Sequence, residues 1–295
     1  MCAPVSFRMW CSGRSVHQVS RSSLFYFFAT LSHTEANMFE FLNVGLLQTI
    51  YTDASYWTVI PWYALIPAVF GVAIVAYLLG SINSAIIVSK VFFGEDVRTK
   101  GSGNAGTTNV LRNYGKKAAL FTLLGDVLKT AVSILIAGII FGFNYVGGIS
   151  VSEMCYIAGL FSVIGHVFPI YYKLRGGKGV LSTATLALIL SPICALILIA
   201  LFVGIVAFSK FVSLGSVTAV ALYPVILNGY FAVLAGEARP MPLMVLTTIL
   251  LAILIVWCHR ANLARISRGE ENKLSFGKKK AEPKEEIDSE GDEEE

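Results

Sequence analysis

Six apolar runs dominate this chain, and each is long enough to need a lipid bilayer or an unusually large core. Residues 64–88, 118–143, 153–170, 180–208, 211–234 and 241–258 are almost free of charge. Spans of about 20 apolar residues match the roughly 30 Å hydrocarbon core of a bilayer. Only 14% of the 295 residues are charged and 55% are hydrophobic, where a soluble chain carries about 25% charged residues. The expected fold is therefore all-α, a polytopic membrane protein. A β-barrel would alternate polar and apolar residues in short segments, and no such alternation occurs. The five cysteines, Cys2, Cys11, Cys155, Cys194 and Cys258, show neither CxxC nor metal-ligand spacing. No metal, cofactor or nucleic-acid partner is expected; the lipid bilayer is.

Basic residues orient the bundle. Arg98, Lys100, Arg112, Lys116 and Lys117 fall in the segment 91–117, and Lys173, Arg175 and Lys178 in 171–179. Arg260, Arg265, Arg268, Lys273, Lys278, Lys279 and Lys280 follow the last run, whereas 144–152 and 235–240 carry only Arg239, close to Glu237. The positive-inside rule puts the three basic regions in the cytoplasm. An even number of crossings must then separate the second from the third. The run 180–208 holds Ser191-Pro192 near its middle, and proline breaks a helix and disfavours helical geometry just before it. The run reads as two short helices, 181–190 and 193–208. Seven transmembrane helices result, two of them short, with the N-terminus outside and the C-terminus cytoplasmic. Residues 1–60 read as an N-terminal extension, either preceding a true start at Met38 or forming an interfacial segment near Trp57, Trp62 and Tyr63. Residues 61–276 form the membrane domain. Residues 277–295 form a charged, acidic tail, expected to be disordered.

Two glycine-rich loops carry the chemistry. Gly101-Ser102-Gly103-Asn104-Ala105-Gly106 fits G-x-G-x-x-G but follows a membrane run rather than a strand, so a dinucleotide fold is excluded. Gly176-Gly177-Lys178-Gly179 lacks the hydroxyl residue after the lysine that a P-loop needs. Both still offer backbone N–H groups to an oxyanion, with Arg112 and Lys178 adding charge. His259 and Asn262 sit at i,i+3 on one helix face beyond the last run, on the side of both loops. His259 is the candidate base or phosphate-ordering histidine, with a phosphate oxygen of a substrate as the other possible base; His166 reads as structural. An enzyme acting on phosphorylated substrates at the lipid boundary is expected. A membrane transporter of organic phosphates is the alternative, although its polar residues would sit at the midplane.

Together, Gly-Ser-Gly-Asn-x-Gly-x-Thr-Asn-x-x-Arg112, Gly165-His-x-Phe-Pro169 with Arg175-Gly-Gly-Lys-Gly-Val180, and His259-Arg-x-Asn-x-x-Arg265 resemble the bacterial acyl-phosphate:glycerol-3-phosphate acyltransferase (PlsY) family over about residues 64–276. The resemblance implies acyl transfer from acyl phosphate to the 1-hydroxyl of sn-glycerol 3-phosphate. The products are lysophosphatidic acid and inorganic phosphate, the first step of phospholipid synthesis. It implies no cofactor, an active site on the cytoplasmic side of the bacterial inner membrane, and coupling to an enzyme that forms acyl phosphate. By position, Ser102, Arg112, His259 and Asn262 match catalytic residues. Gly103, Asn104, Asn109, Gly176, Gly177, Lys178, Gly179 and Ser213 (with Ser216 its neighbour) match substrate-binding ones, and Glu271 a structural one. Thr107 stands where alanine is usual in the family, and Asn83 where proline is. Asn83 is expected to bond across the bundle.

Overall fold

The computed structural model describes residues 62–142, 151–233 and 240–274, and every regular element among them is helical. The expectations for residues 1–60 and 277–295 lie outside the described residues. The helices are α1 (Trp62–Gly80), α2 (Ser84–Phe93), α3 (Thr107–Phe141), α4 (Val151–Val167), α5 (Val180–Leu190), α6 (Pro192–Ser209), α7 (Val212–Val233), α8 (Pro242–Cys258) and α9 (Arg260–Ser267). By length and composition five helical stretches can cross a membrane, or six if α8 and α9, bent by 54°, count as one. The 11-residue α5 is a shorter apolar helix.

α4 is the hub. It packs against α1, α3, α5 and α8. A Cβ at Gly80 would strike the Ser162 backbone, and one at Gly165 would strike the Tyr77 carbonyl. The α1 and α4 backbones therefore touch, the close approach that small residues permit between membrane helices. α6 lies at the other extreme. Its candidate span is only 17% buried, against 67% for the span containing α4. Leu196 and Phe208 point outward as lipid-facing side chains do.

Three breaks shape the bundle. The expected α5–α6 break is present, with Ser191 as the residue between them and Pro192 opening α6, where its missing N–H has no helical partner to lose. The first apolar run, expected as one span, breaks after Gly80. Asn83 is fully buried and caps α2, its Oδ1 accepting from the Ile86 N–H at 3.1 Å. Its Nδ2 also donates to the Ala105 carbonyl at 3.5 Å. The expected cross-bundle bond thus runs to a loop, and the residue's main work is capping. The third break is Gly115, at φ +84°, inside α3. It separates about two turns from the long helix beyond, so residues 107–114, in the segment expected as a loop, are helical.

Candidate active site at the polar end of a membrane cleft

One cavity of about 550 Å³ gathers the three basic regions. Its polar end is lined by Ser102, Arg112, Lys178, His259, Asn262 and Glu271, drawn from five separate segments of chain. Its other end is apolar, walled by side chains such as Leu188 of α5, Ile199 and Phe202 of α6, and Val220 of α7.

Glu271 organises the polar end. Its Oε1 accepts from the Ser213 hydroxyl at 2.8 Å and from Asn262 Nδ2 at 2.7 Å, and its Oε2 accepts from Arg265 Nε at 2.8 Å. Burial pushes its carboxyl up, but the hydrogen bonds from Asn262, Ser213 and Arg265 outweigh that and hold it below the usual carboxylate range. The Asn262 amide is thereby oriented, with Nδ2 toward Glu271 and Oδ1 accepting from Lys178 Nζ. Burial is the largest influence on Lys178. With Arg265 and Arg112 nearby it draws the ammonium below the usual lysine range, against the pull of Glu271. His259 is buried, and its Nδ1 faces the Ile255 carbonyl at 2.8 Å. A carbonyl only accepts, so Nδ1 carries the proton, and in the neutral ring Nε2 keeps the lone pair.

The first turn of α3 completes this end. Gly106, Thr107 and Thr108 line the cavity, no side chain caps the helix, and the Thr107 hydroxyl is buried without a hydrogen-bond partner among the described residues. An uncapped helix N-terminus suits an anion. Asn104, Gly179 and Ser213 also face the cavity, as does Ser216, whose hydroxyl bonds back to Val212.

Several expected residues do different work. Asn109 is buried, and its amide is saturated. Nδ2 donates to the Val97 and Lys100 carbonyls at 3.1 and 3.0 Å, while Oδ1 accepts from the Ser102 N–H and Asn113 Nδ2, both at 3.0 Å. An asparagine has two donors and two lone pairs, so Asn109 staples the first glycine loop and has no capacity left for a ligand. The N–H groups of Gly103, Gly176 and Gly177, expected to face phosphate, donate instead to the carbonyls of Lys100, Val167 and His166. Gly176 and Gly177 are there for close approach: a Cβ would collide with the His166 carbonyl or ring and with Pro169 or Ala105. The cationic side chains Lys178 and Arg112 and the start of α3 still face the cavity.

The chain signal missed two groups. The Arg98 guanidinium grips the Asp96 carboxylate through Nε and Nη2 at 3.0 and 2.8 Å, and its Nη1 donates to the Tyr172 and Arg175 carbonyls. It ties the first loop to the second. Asp126 and Lys129, buried on α3, form an ion pair at 2.9 Å beside His166. Two charges one turn apart in an apolar run were the available sign.

An all-helical bundle with several membrane-length helices, cut by a cleft that is cationic at one end and greasy at the other, defines a helical membrane protein with an amphiphilic site. Residues 70–269 match the glycerol-3-phosphate acyltransferase family. A glycerol-3-phosphate acyltransferase of Clostridioides difficile is 39% identical over 209 residues, 71% of this chain and 96% of the relative. One of Coxiella burnetii is 38% identical over 203 residues, covering 69% and 96%. Among solved structures, PlsY (YgiH), an integral membrane glycerol 3-phosphate acyltransferase, superposes with a TM-score of 0.61 in its glycerol 3-phosphate form, at 33% identity, covering 70% of this chain and 96% of that one. Its lysophosphatidic acid form gives a TM-score of 0.59. The chain belongs to the PlsY family of glycerol-3-phosphate acyltransferases and is a multi-pass membrane acyltransferase, which sets the transporter alternative aside.

Proposed function

We propose that this enzyme transfers the acyl group of an acyl phosphate to the 1-hydroxyl of sn-glycerol 3-phosphate, releasing lysophosphatidic acid and inorganic phosphate. The observation that carries the reading is the division of one cavity into a cationic end and an apolar end. The cationic end suits the phosphates of both substrates, and the apolar walls of α5, α6 and α7 suit the acyl chain. The glycerol 3-phosphate and lysophosphatidic acid forms of the related PlsY structure support the same pair of ligands.

Lys178, Arg112 and the first turn of α3 offset phosphate charge as it shifts from substrate to leaving group. Ser102, Asn104, Gly179 and Ser213 contact the substrates, and Glu271 and Asn262 hold Lys178 in place. The glycerol oxygen forms a bond to the acyl carbon, the acyl–phosphate C–O bond breaks, and inorganic phosphate leaves with the electron pair. The hydroxyl proton passes to His259 Nε2, the atom left with a lone pair by the Nδ1 bond to Ile255. The anhydride is already activated, so orienting the two substrates supplies much of the rate.

The same reading favours a topology. The meeting of both glycine loops and the α8–α9 bend at one cavity supports an even number of crossings between each pair. Two, α3 and α4, separate the first pair; four, α5 to α8, separate the second. With α1–α2 ahead of them the count is seven, N-terminus outside, and the cavity mouth is on the cytoplasmic side of the bacterial inner membrane. An acyl-phosphate-forming enzyme supplies the donor.

The test is direct. Purified full-length protein in detergent receives labelled glycerol 3-phosphate with palmitoyl phosphate or with palmitoyl-CoA. Lysophosphatidic acid and an equal amount of phosphate should form with palmitoyl phosphate alone. Product from the thioester alone would overturn the donor.

A further inference from the structure

The reaction above leaves one buried ion cluster unused. Asp126 and Lys129 on α3 and His166 on α4 are 1%, 6% and 4% exposed. Ionisable groups at such depth in a membrane bundle are expensive, and they mark function more often than packing. Lys129 Nζ engages three partners: Asp126 Oδ1 at 2.9 Å, the Ile82 carbonyl at 3.0 Å and His166 Nδ1 at 2.8 Å. An ammonium only donates, so His166 Nδ1 is an acceptor.

Each partner leads to a different part of the site. Ile82 lies in the α1–α2 break, and its neighbour Asn83 reaches the Ala105 carbonyl of the first glycine loop. The His166 carbonyl accepts the Gly177 N–H at 3.1 Å. The His166 ring covers the face of Gly177 where a Cβ would project, and the same Cβ would meet Ala105. Gly177 is covalently joined to Lys178. The ion cluster therefore sits at the point where the two glycine loops abut, one peptide bond from the lysine that faces the cavity.

We infer that Asp126, Lys129 and His166 form a positioning site that locks the His166 ring against Gly177 and thereby sets where Lys178 stands relative to the first loop. The inference rests on the reading that Lys178 holds a substrate phosphate. It distinguishes the cluster from a mere helix staple, because a staple predicts lost stability with unchanged kinetics.

Kinetics for glycerol 3-phosphate and melting temperature in detergent are measured for Lys178→Ala, His166→Ala, His166→Asn, Lys129→Met and the double variant His166→Ala/Lys178→Ala. His166→Ala and Lys129→Met should each raise KM at least about tenfold, with kcat within about threefold. His166→Asn keeps an acceptor close to the Nδ1 position but has no ring to cover Gly177, so its KM should stay raised as in His166→Ala. The double variant should be no worse than Lys178→Ala, because residues acting through one another are not additive. Additive effects, or unchanged KM in folded His166→Ala, would overturn the inference. If Lys129→Met does not fold, the two His166 variants decide. Unchanged KM in Lys178→Ala would instead overturn the phosphate-holding role on which the inference stands.

Discussion

Replacing Glu271 tests the organisation of the polar end most severely. Glu271→Ala strands three donors: the Ser213 hydroxyl, Asn262 Nδ2 and Arg265 Nε. The Arg265 pair is a weak contributor, because the guanidinium side is 36% exposed and such pairs are worth about 0–1 kcal/mol. The other two bonds join neutral donors to a largely buried carboxylate, at about 1.5 kcal/mol each. The expected loss is about 3 kcal/mol, and it falls on the group that aims Asn262 at Lys178. At about 1.4 kcal/mol per factor of ten, kcat/KM for acyl transfer should drop roughly a hundredfold. Glu271→Gln separates the contributions. Its remaining oxygen can still accept from Ser213 and Asn262, while its amide meets Arg265 donor to donor. That variant should lose only about 1 kcal/mol, or fivefold. The assay is labelled glycerol 3-phosphate with palmitoyl phosphate, run beside thermal melting in detergent. Equal losses in the Ala and Gln variants would refute the assignment of the strength to the Ser213 and Asn262 bonds.

Other outcomes follow from the same geometry. His259→Gln should lower kcat by about 10²–10⁴, the usual weight of a general base, and leave KM for glycerol 3-phosphate within about threefold; a KM effect alone would make His259 a phosphate-ordering residue. Because burial depresses the Lys178 ammonium, its charge is lost as pH rises, below the ordinary lysine value of about 10.4. The alkaline limb of kcat/KM should therefore lie below that value and move upward in Lys178→Arg; a limb unmoved by that change would assign it to another group. Gly177→Ala should cost at least about 1–3 kcal/mol of stability with loss of activity, since its Cβ would meet His166 and Ala105. Gly204→Ala, with nothing within 4 Å, should melt like the parent or higher.

The helices were legible in the chain because their signal is local. A charge-free run needs only its own composition, and Ser191-Pro192 breaks α5 from α6 through backbone sterics alone. The companions Ser102, Arg112, Lys178, His259 and Asn262 were legible through spacing. What resisted reading depends on where atoms point after packing. Asn109 resembles a ligand residue until its four bonds are counted. The Gly176 and Gly177 N–H groups look available until their carbonyl partners are found at the end of α4. Asn83 looked like a polar group within a span because nothing in the run itself says that the helix stops at Gly80 and must be capped afresh. The cluster around Lys129 joins the α1–α2 break, α3 and α4, and no window along the chain contains all three.

The position of Glu271 in the chain order has a consequence for biogenesis. Ser102, Arg112 and Lys178 all emerge from the ribosome before α7 and α8, whereas His259, Asn262 and Glu271 come after them. A half-inserted chain holds both glycine loops yet lacks His259 and the Asn262–Glu271 pair that bonds to Lys178. Translation proceeds from the N-terminus, and early segments pack before late ones exist. On the roles proposed for these residues, turnover should appear only once the last helix is threaded, so that catalytic activity would report complete membrane insertion.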